Sequence, residues 1–95
     1  MAAPNIILIV ADDLDQQLFS RMYADGYLPN IKTHLGDAGT QFSNAFVTEA
    51  LCCPSRATFF TGQYAHNHGV VDNYKPYGGV TFFNASTALP VWLKN

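Results

Sequence analysis

The chain has 95 residues, a formal net charge of −2 at pH 7 and only 13% charged residues, against about 25% in typical globular proteins. Its five basic residues are scattered, which excludes the concentrated basic surface of a nucleic-acid-binding protein. No apolar run approaches the roughly 18 residues of a membrane span, and the N-terminus has no signal-peptide pattern. The sequence therefore predicts no nucleic-acid partner and no membrane span, and it leaves the compartment open.

The low charge content is unusual for so short a chain. Small domains have a large surface for their volume, so they need more charged surface than large ones. Aromatic residues make up 14% of the chain, and Phe59-Phe60 and Phe82-Phe83 are adjacent pairs. We therefore expect these residues to be an incomplete segment of a larger domain, whose apolar faces are covered by further sequence.

Two strands and two helices are predicted in the first half. Asn5–Val10 is a continuous β-branched run, typical of a strand buried on both faces of a parallel sheet. A helix is expected from about Asp13 to Ala24, and a second one from Pro29 to a glycine at position 36 or 39. Thr40–Val47 partly alternates between polar and apolar residues and predicts the second strand.

The second half is predicted to begin with a helix followed by a long loop. Pro54 fits the first turn of a helix that starts near Cys53, and Gly62 fits its end. Residues 64–81 are rich in Tyr, Asn, Gly and His and are expected to be loop.

The chain is predicted to end in a further helix over residues 88–95. Ser86 or Thr87 is expected to cap it, with Pro90 in its first turn. The order of strands and helices favours an α/β layered fold, although two strands are too few for a stable parallel sheet covered on both faces.

Asp12 and Asp13 directly follow the first predicted strand. Consecutive strand residues point to opposite faces, so two adjacent carboxylates share one site only where the strand ends and the chain turns. Ligands of open α/β sheets bind at that end of the strands, and paired carboxylates suit a hard divalent cation such as Ca²⁺ or Mg²⁺. The alternative is a helix N-cap beside a solvated acid. Asp15 is interpreted as an acid in the first helical turn.

The only two cysteines, Cys52 and Cys53, are adjacent and precede Pro-Ser-Arg. Adjacent cysteines cannot bridge without strain, and the chain offers too few Cys and His at ligand spacing for zinc. Arg56 lies four residues after Cys52 and so shares its helical face. A helix N-terminus and a guanidinium together attract a tetrahedral oxyanion such as sulfate or phosphate. The alternative, a buried small apolar side chain, is favoured for Cys53, whereas the spacing favours the anion site for Cys52.

The stretch CCPSRATFFTG resembles the signature of the sulfatase family, Cys-x-Pro-Ser-Arg followed by an apolar helix and Thr-Gly. PNIILIVADD resembles the N-terminal strand and metal-binding acid pair of the same family. LCCPSR with YAHNHGV and DN, together with PYGG and LPVWL, is similar to the arylsulfatase and N-acetylglucosamine-6-sulfatase branch. The resemblance covers essentially the whole chain. It implies the N-terminal segment of an alkaline-phosphatase-like catalytic domain, with a mainly parallel sheet covered by helices.

The resemblance implies a sulfuric ester hydrolase with a formylglycine nucleophile and a divalent metal. A formylglycine-generating maturation enzyme would oxidise Cys52, which is in register with Pro54 and Arg56, to an aldehyde. One hydroxyl of the hydrated aldehyde would attack sulfur and displace the alcohol; the other would then lose its proton, and sulfate would leave as the aldehyde is restored. Asp12 and Asp13 match the first two carboxylate ligands of Ca²⁺ or Mg²⁺, the modified Cys52 also contacts the metal, and Arg56 holds the hydrate.

The resemblance also makes His66, His68 and Asn73 candidates for lining the substrate pocket, although loop histidines are commonly structural or solvated. The expected substrate is a small-molecule or glycan sulfate ester, such as a sulfated sugar or an aryl sulfate. The catalytic histidines, the lysine of a Gly-Lys motif and the second metal-binding pair are expected beyond Asn95. Members of the family are usually exported, to the periplasm, the lysosome or the exterior.

Two alternatives to a sulfatase stay open from the sequence. Phosphonate monoester and phosphodiester hydrolases of the same superfamily can share the modified cysteine. A truncated, inactive fragment would be marginally stable and would aggregate through exposed sheet edges and Phe pairs.

Overall fold

A computed structural model describes residues 4–94, which divide after residue 43 into two compact units. Regular structure in the described residues is almost entirely helical. Their β pairing amounts to one isolated bridge, between Asp72 and Gly78.

In the first unit, helix α1 spans Gln16–Ala24. Asp15 is its N-cap, because Asp15 Oδ1 accepts a hydrogen bond from the Leu18 N–H at 2.8 Å. The interpretation of Asp15 as an acid of the first helical turn was therefore wrong by one position, and the cap explains why the helix starts later than expected. Gly26 follows the helix at φ 77, a left-handed conformation that suits glycine.

Helix α2 spans Pro29–Ile31 and continues as a π-helical turn, Lys32–Gly36. It ends at one of the two glycines expected for this stretch. Phe19 and Tyr23 of α1 line an apolar cavity of about 210 Å³ together with Ile31 and Leu35. Both helical stretches of the first unit thus line this cavity, and none of their residues is buried.

Neither predicted strand pairs within residues 4–94. Asn5–Val10 lies outside the helices with its apolar side chains exposed: Ile7 is 84% and Ile9 is 81% accessible. Thr40–Val47 is likewise irregular. A strand obtains its ladder hydrogen bonds and its burial from neighbouring strands, so the parallel sheet stays a prediction.

In the second unit, helix α3 spans Cys52–Thr61; it begins one residue before Cys53, near which it was expected to start, and it ends at Gly62 as predicted. Leu51 is its N-cap residue, and the first intrahelical bond runs from the Ser55 N–H to the Leu51 carbonyl at 2.8 Å. Pro54 stands in the first turn, where its missing N–H costs no intrahelical bond. Gly62 ends the helix at φ 68, in the left-handed conformation expected of a glycine C-cap.

Two further helices, α4 (Ala65–His68) and α5 (Leu89–Lys94), contact α3. Ala57, Val70 and Ala88 are buried and form the small apolar core of this unit. The prediction that residues 64–81 are all loop was wrong at α4 and at the 3₁₀ turn that begins at Val80.

The predicted capping of the last helix was also wrong. Ser86 and Thr87 lie in a separate 3₁₀ turn, in which the Ser86 N–H is donated to Asn84 Oδ1 at 3.1 Å. The helix starts later, at Leu89, with Pro90 in its first turn as expected. The predicted helix also included Asn95, which lies outside the described residues. No helix within residues 4–94 has the length and apolar character to cross a membrane.

Candidate active site

Asp12 and Asp13 lie at a bend in the first unit. Asp13 has φ 52 and is the non-glycine residue with positive φ in the described chain. Aspartate tolerates this left-handed conformation better than most residues. Both side chains are exposed, and their carboxylates each offer an oxygen within 4.8 Å of the other. Since an unbroken strand would send the two side chains to opposite faces, the bend is what brings the carboxylates together.

Cys52 is the first residue of α3, and Arg56 lies one turn later on the same helix. Because the helix is continuous from Cys52 to Thr61, the two residues share one face, as the spacing predicted. Both cysteines are half-buried thiols, and the Arg56 residue is exposed. The positive end of the helix dipole therefore lies at Cys52, and the guanidinium belongs to a residue one turn further along the helix.

Cys53 is bound by a residue distant in sequence. Its N–H donates a hydrogen bond of 2.8 Å to Oδ1 of Asn73, and this contact is partly buried. Cys53 also lines an apolar cavity of about 270 Å³, together with Arg56, Phe60, Val70 and Phe83. Asn73 thus binds the backbone of Cys53, and Cys53 contributes to the wall of the apolar cavity.

His68, at the end of α4, contacts α3 through its imidazole. Nε2 lies 3.0 Å from Thr58 Oγ1, and Nδ1 accepts a hydrogen bond from the Val70 N–H at 3.1 Å. His66 is exposed, and its ring stacks on Tyr64 with the centroids 5.7 Å apart. Of the three residues expected to line the substrate pocket, His68 and Asn73 therefore bind α3, and His66 faces solvent in this unit.

The loop that presents Asn73 is closed on itself by backbone hydrogen bonds. The Val71 N–H donates to the Tyr77 carbonyl at 3.1 Å, and the Gly79 N–H donates to the Asp72 carbonyl at 2.9 Å. At Gly78 the chain passes so close to the Asp72 carbonyl that a Cβ would collide with the Asp72 oxygen. Thr58 and Asp72 were not predicted as residues of this region, and the adjacent glycines 78 and 79 are the local sequence signal of the close approach.

The sulfatase family model matches residues 4–95. The chain belongs to the sulfatase family. This sulfatase chain is 49% identical to N-acetylglucosamine-6-sulfatase of Capra hircus over 72 residues, which are 74% of the chain and 12% of that protein. It is 34% identical to arylsulfatase of Volvox carteri over 96 residues, covering 97% of the chain and 14% of that protein. The resemblance seen in the sequence is confirmed.

A third relative of the sulfatase chain is the ulvan-active sulfatase of Formosa agariphila, at 39% identity over 77 residues, with 75% of the chain and 14% of that protein covered. The chain thus spans between 12% and 14% of the length of these three relatives. No solved structure shows significant similarity to it. Family membership implies an alkaline-phosphatase-like α/β fold; residues 4–94 are mainly helical and do not form the sheet.

Proposed function

We propose that the protein hydrolyses sulfate esters, with Cys52 as the precursor of its formylglycine nucleophile and this chain as an N-terminal segment of the catalytic domain. One observation carries the proposal: the sequence Cys-Cys-Pro-Ser-Arg opens helix α3 in a chain of the sulfatase family. Of the two cysteines, Cys52 alone precedes Pro54 by two residues and Arg56 by four, which is the register of the family signature. Modification of Cys52 requires a formylglycine-generating enzyme as a partner.

The start of α3 suits the binding and reaction of a sulfate group. The positive end of the α3 dipole attracts a tetrahedral oxyanion, while the Cys53 N–H is already bound by Asn73 and Pro54 has no N–H to offer. The guanidinium of Arg56 adds a charge-assisted donor that stabilises the negative charge developing on sulfate oxygens in the transition state. A formylglycine at position 52 would supply a hydrated aldehyde, whose hydroxyl is the nucleophile.

We propose Asp12 and Asp13 as ligands of Ca²⁺ or Mg²⁺. The observation in support is the bend at Asp13, which brings two exposed carboxylate oxygens within 4.8 Å of each other. Hard oxygen donors of this kind fit either cation. When bound, the ion would neutralise charge on the sulfate group that is attacked. Two carboxylates leave most of the coordination shell of either cation open to further ligands.

The proposed substrate is a sulfate ester of a sugar or of an aryl alcohol. Relatives named N-acetylglucosamine-6-sulfatase and arylsulfatase support this range. His66 is the residue of this chain proposed to face the substrate, because its exposed ring stacks on Tyr64 and offers a polar edge beside an apolar face.

The test uses the full-length gene product, expressed with and without a formylglycine-generating enzyme. We expect mass spectrometry to find an aldehyde at position 52 only when the two are expressed together, and turnover of an aryl sulfate to follow it. Cys52→Ala is expected to lower kcat by about a thousandfold or more. The matched control, Cys53→Ala, should keep both the aldehyde and most of the turnover.

Two results would contradict the proposal. Full activity with an intact thiol at Cys52 would exclude the proposed nucleophile. Faster turnover of an aryl phosphonate than of an aryl sulfate by the same preparation would assign the protein to phosphonate ester hydrolysis instead.

A further inference from the structure

The residue at the N-cap position of α3 does not cap the helix with its side chain. Leu51 stands at the N-cap position and forms no side-chain cap bond. The first N–H groups of a helix have no intrahelical acceptor, and a side-chain oxygen usually binds the second or third of them. Here the second residue is Cys53, and its N–H is bound by Asn73 Oδ1 at 2.8 Å, 20 positions further along the chain. Asn73 therefore provides from a distant loop the bond that a local Ser, Asp or Asn would provide.

Asn73 is itself held in place. Its N–H donates to Asp72 Oδ1 at 2.6 Å, and Asp72 is fixed through its carbonyl, which accepts from the Gly79 N–H at 2.9 Å. The Asp72–Gly78 bridge joins the two sides of the loop, and glycine at position 78 permits this close approach because a Cβ there would collide with the Asp72 carbonyl. The amide oxygen of Asn73 is thus presented to α3 by a closed loop rather than by a loose one.

We propose that Asn73 is a positioning residue for Cys52, and that it does not bind the substrate. The inference rests on the proposed function of Cys52. Cys52 immediately precedes Cys53, so the same first turn of α3 sets the position of both. Without the Asn73 acceptor, this first turn frays more readily, and a displacement of about 1 Å at a reacting group lowers a rate by up to a hundredfold.

The neutral amide of Asn73 suits this position better than a carboxylate would. An aspartate would accept the Cys53 N–H bond equally well, since Asp and Asn are comparable caps. A carboxylate at this point would, however, add a negative charge at the helix terminus where a sulfate is proposed to bind. Comparing Asn73→Ala with Asn73→Asp therefore separates the effect of losing the helix cap from the effect of adding a negative charge near the sulfate.

The experiment measures hydrogen exchange of the Cys53 amide by mass spectrometry, together with kcat and KM for an aryl sulfate, in the full-length protein. Asn73→Ala should raise exchange at Cys53 about fivefold and lower kcat more than it raises KM. Asn73→Asp should keep the wild-type exchange rate and raise KM. Asn84→Ala is the matched control: it removes an asparagine whose side chain bonds Ser86 in its own turn, and it should leave Cys53 exchange unchanged.

If Asn73→Ala does not fold, the hydrogen-exchange rate of the Cys53 amide in the wild-type protein still tests the proposal. A Cys53 amide that exchanges at the rate of an unstructured peptide would overturn the proposal. So would an Asn73→Ala protein with unchanged exchange and a raised KM, since that result identifies a substrate contact. Loss of sulfatase activity in every preparation, with Cys53 protected in the wild type and exposed in Asn73→Ala, would instead reject the proposed function and leave the capping role standing.

Discussion

His68 joins two helices of the second unit, because its Nε2 lies 3.0 Å from Thr58 Oγ1 on α3 while its Nδ1 accepts from the Val70 N–H at 3.1 Å. An imidazole nitrogen that accepts a hydrogen bond carries no proton, so the neutral ring has its proton on Nε2 and donates to Thr58. A doubly protonated ring could not keep the bond from Val70. The side chain thus acts as a fixed link between α3 and the turn after α4.

His68→Ala is expected to lower the free energy of unfolding by about 1–2 kcal/mol, because it removes two partly buried hydrogen bonds. His66→Ala, at an exposed position of the same helix, should change it by less than about 0.5 kcal/mol. A cycle with Thr58→Val should give a coupling of about 1 kcal/mol between Thr58 and His68. Urea unfolding of the wild type, the three single variants and the double variant measures these values, and an absence of coupling would contradict the link.

The proposed metal site predicts that Asp12→Asn and Asp13→Asn each weaken Ca²⁺ binding by about tenfold or more, since each removes a charged ligand. Asparagine tolerates the left-handed conformation of Asp13, so the second variant changes charge without adding backbone strain. Asp15→Asn is the control, because it keeps the helix cap at Leu18. Calorimetric titration of the metal-stripped protein measures the affinities. Equal weakening by all three variants would show a general charge effect rather than a site.

Arg56 is predicted to act through the geometry of its guanidinium and not only through its charge. Arg56→Lys keeps the charge but loses the planar fork that binds two oxygens of one anion, and we expect kcat/KM for an aryl sulfate to fall about a hundredfold. Arg21→Lys, in the last turn of α1, should leave turnover unchanged. Activity of Arg56→Lys within a few fold of wild type, at equal stability, would argue against this role.

Local signals explain which parts of the fold were predictable. The ends of α3 follow from Pro54 and Gly62, whose backbone preferences act within a few residues. The pairing of Asn5–Val10 depends on neighbouring strands, and none lies beside it in residues 4–94. Sequence alone could therefore identify an apolar run but not its partners.

The candidate site divides in the same way. The register of Cys52 with Arg56 and the adjacency of Asp12 and Asp13 are visible in the sequence, because they depend on residues next to each other or one turn apart. The bond from Cys53 to Asn73 spans 20 positions, and no pattern of residue types marks such a pair. Asn73 was predicted to line the substrate pocket from the family resemblance, and its bond to the Cys53 N–H was not predicted.

A substitution at Gly78 tests whether the closed loop stabilises the start of α3. A side chain at this position is excluded by a steric collision and not by the backbone torsion angles. Gly78→Ala would place a Cβ against the Asp72 carbonyl oxygen, and we expect a loss of about 3 kcal/mol of unfolding free energy. At Gly62, by contrast, a Cβ meets nothing within 4 Å but φ is 68, so Gly62→Ala should cost only about 1 kcal/mol. Gly62→Asn should cost less still.

Because Asp72 holds Asn73, Gly78→Ala should also raise hydrogen exchange at Cys53, whereas Gly62→Ala at the far end of α3 should not. Equal hydrogen-exchange rates at Cys53 in both variants would show that the loop does not stabilise the start of the helix.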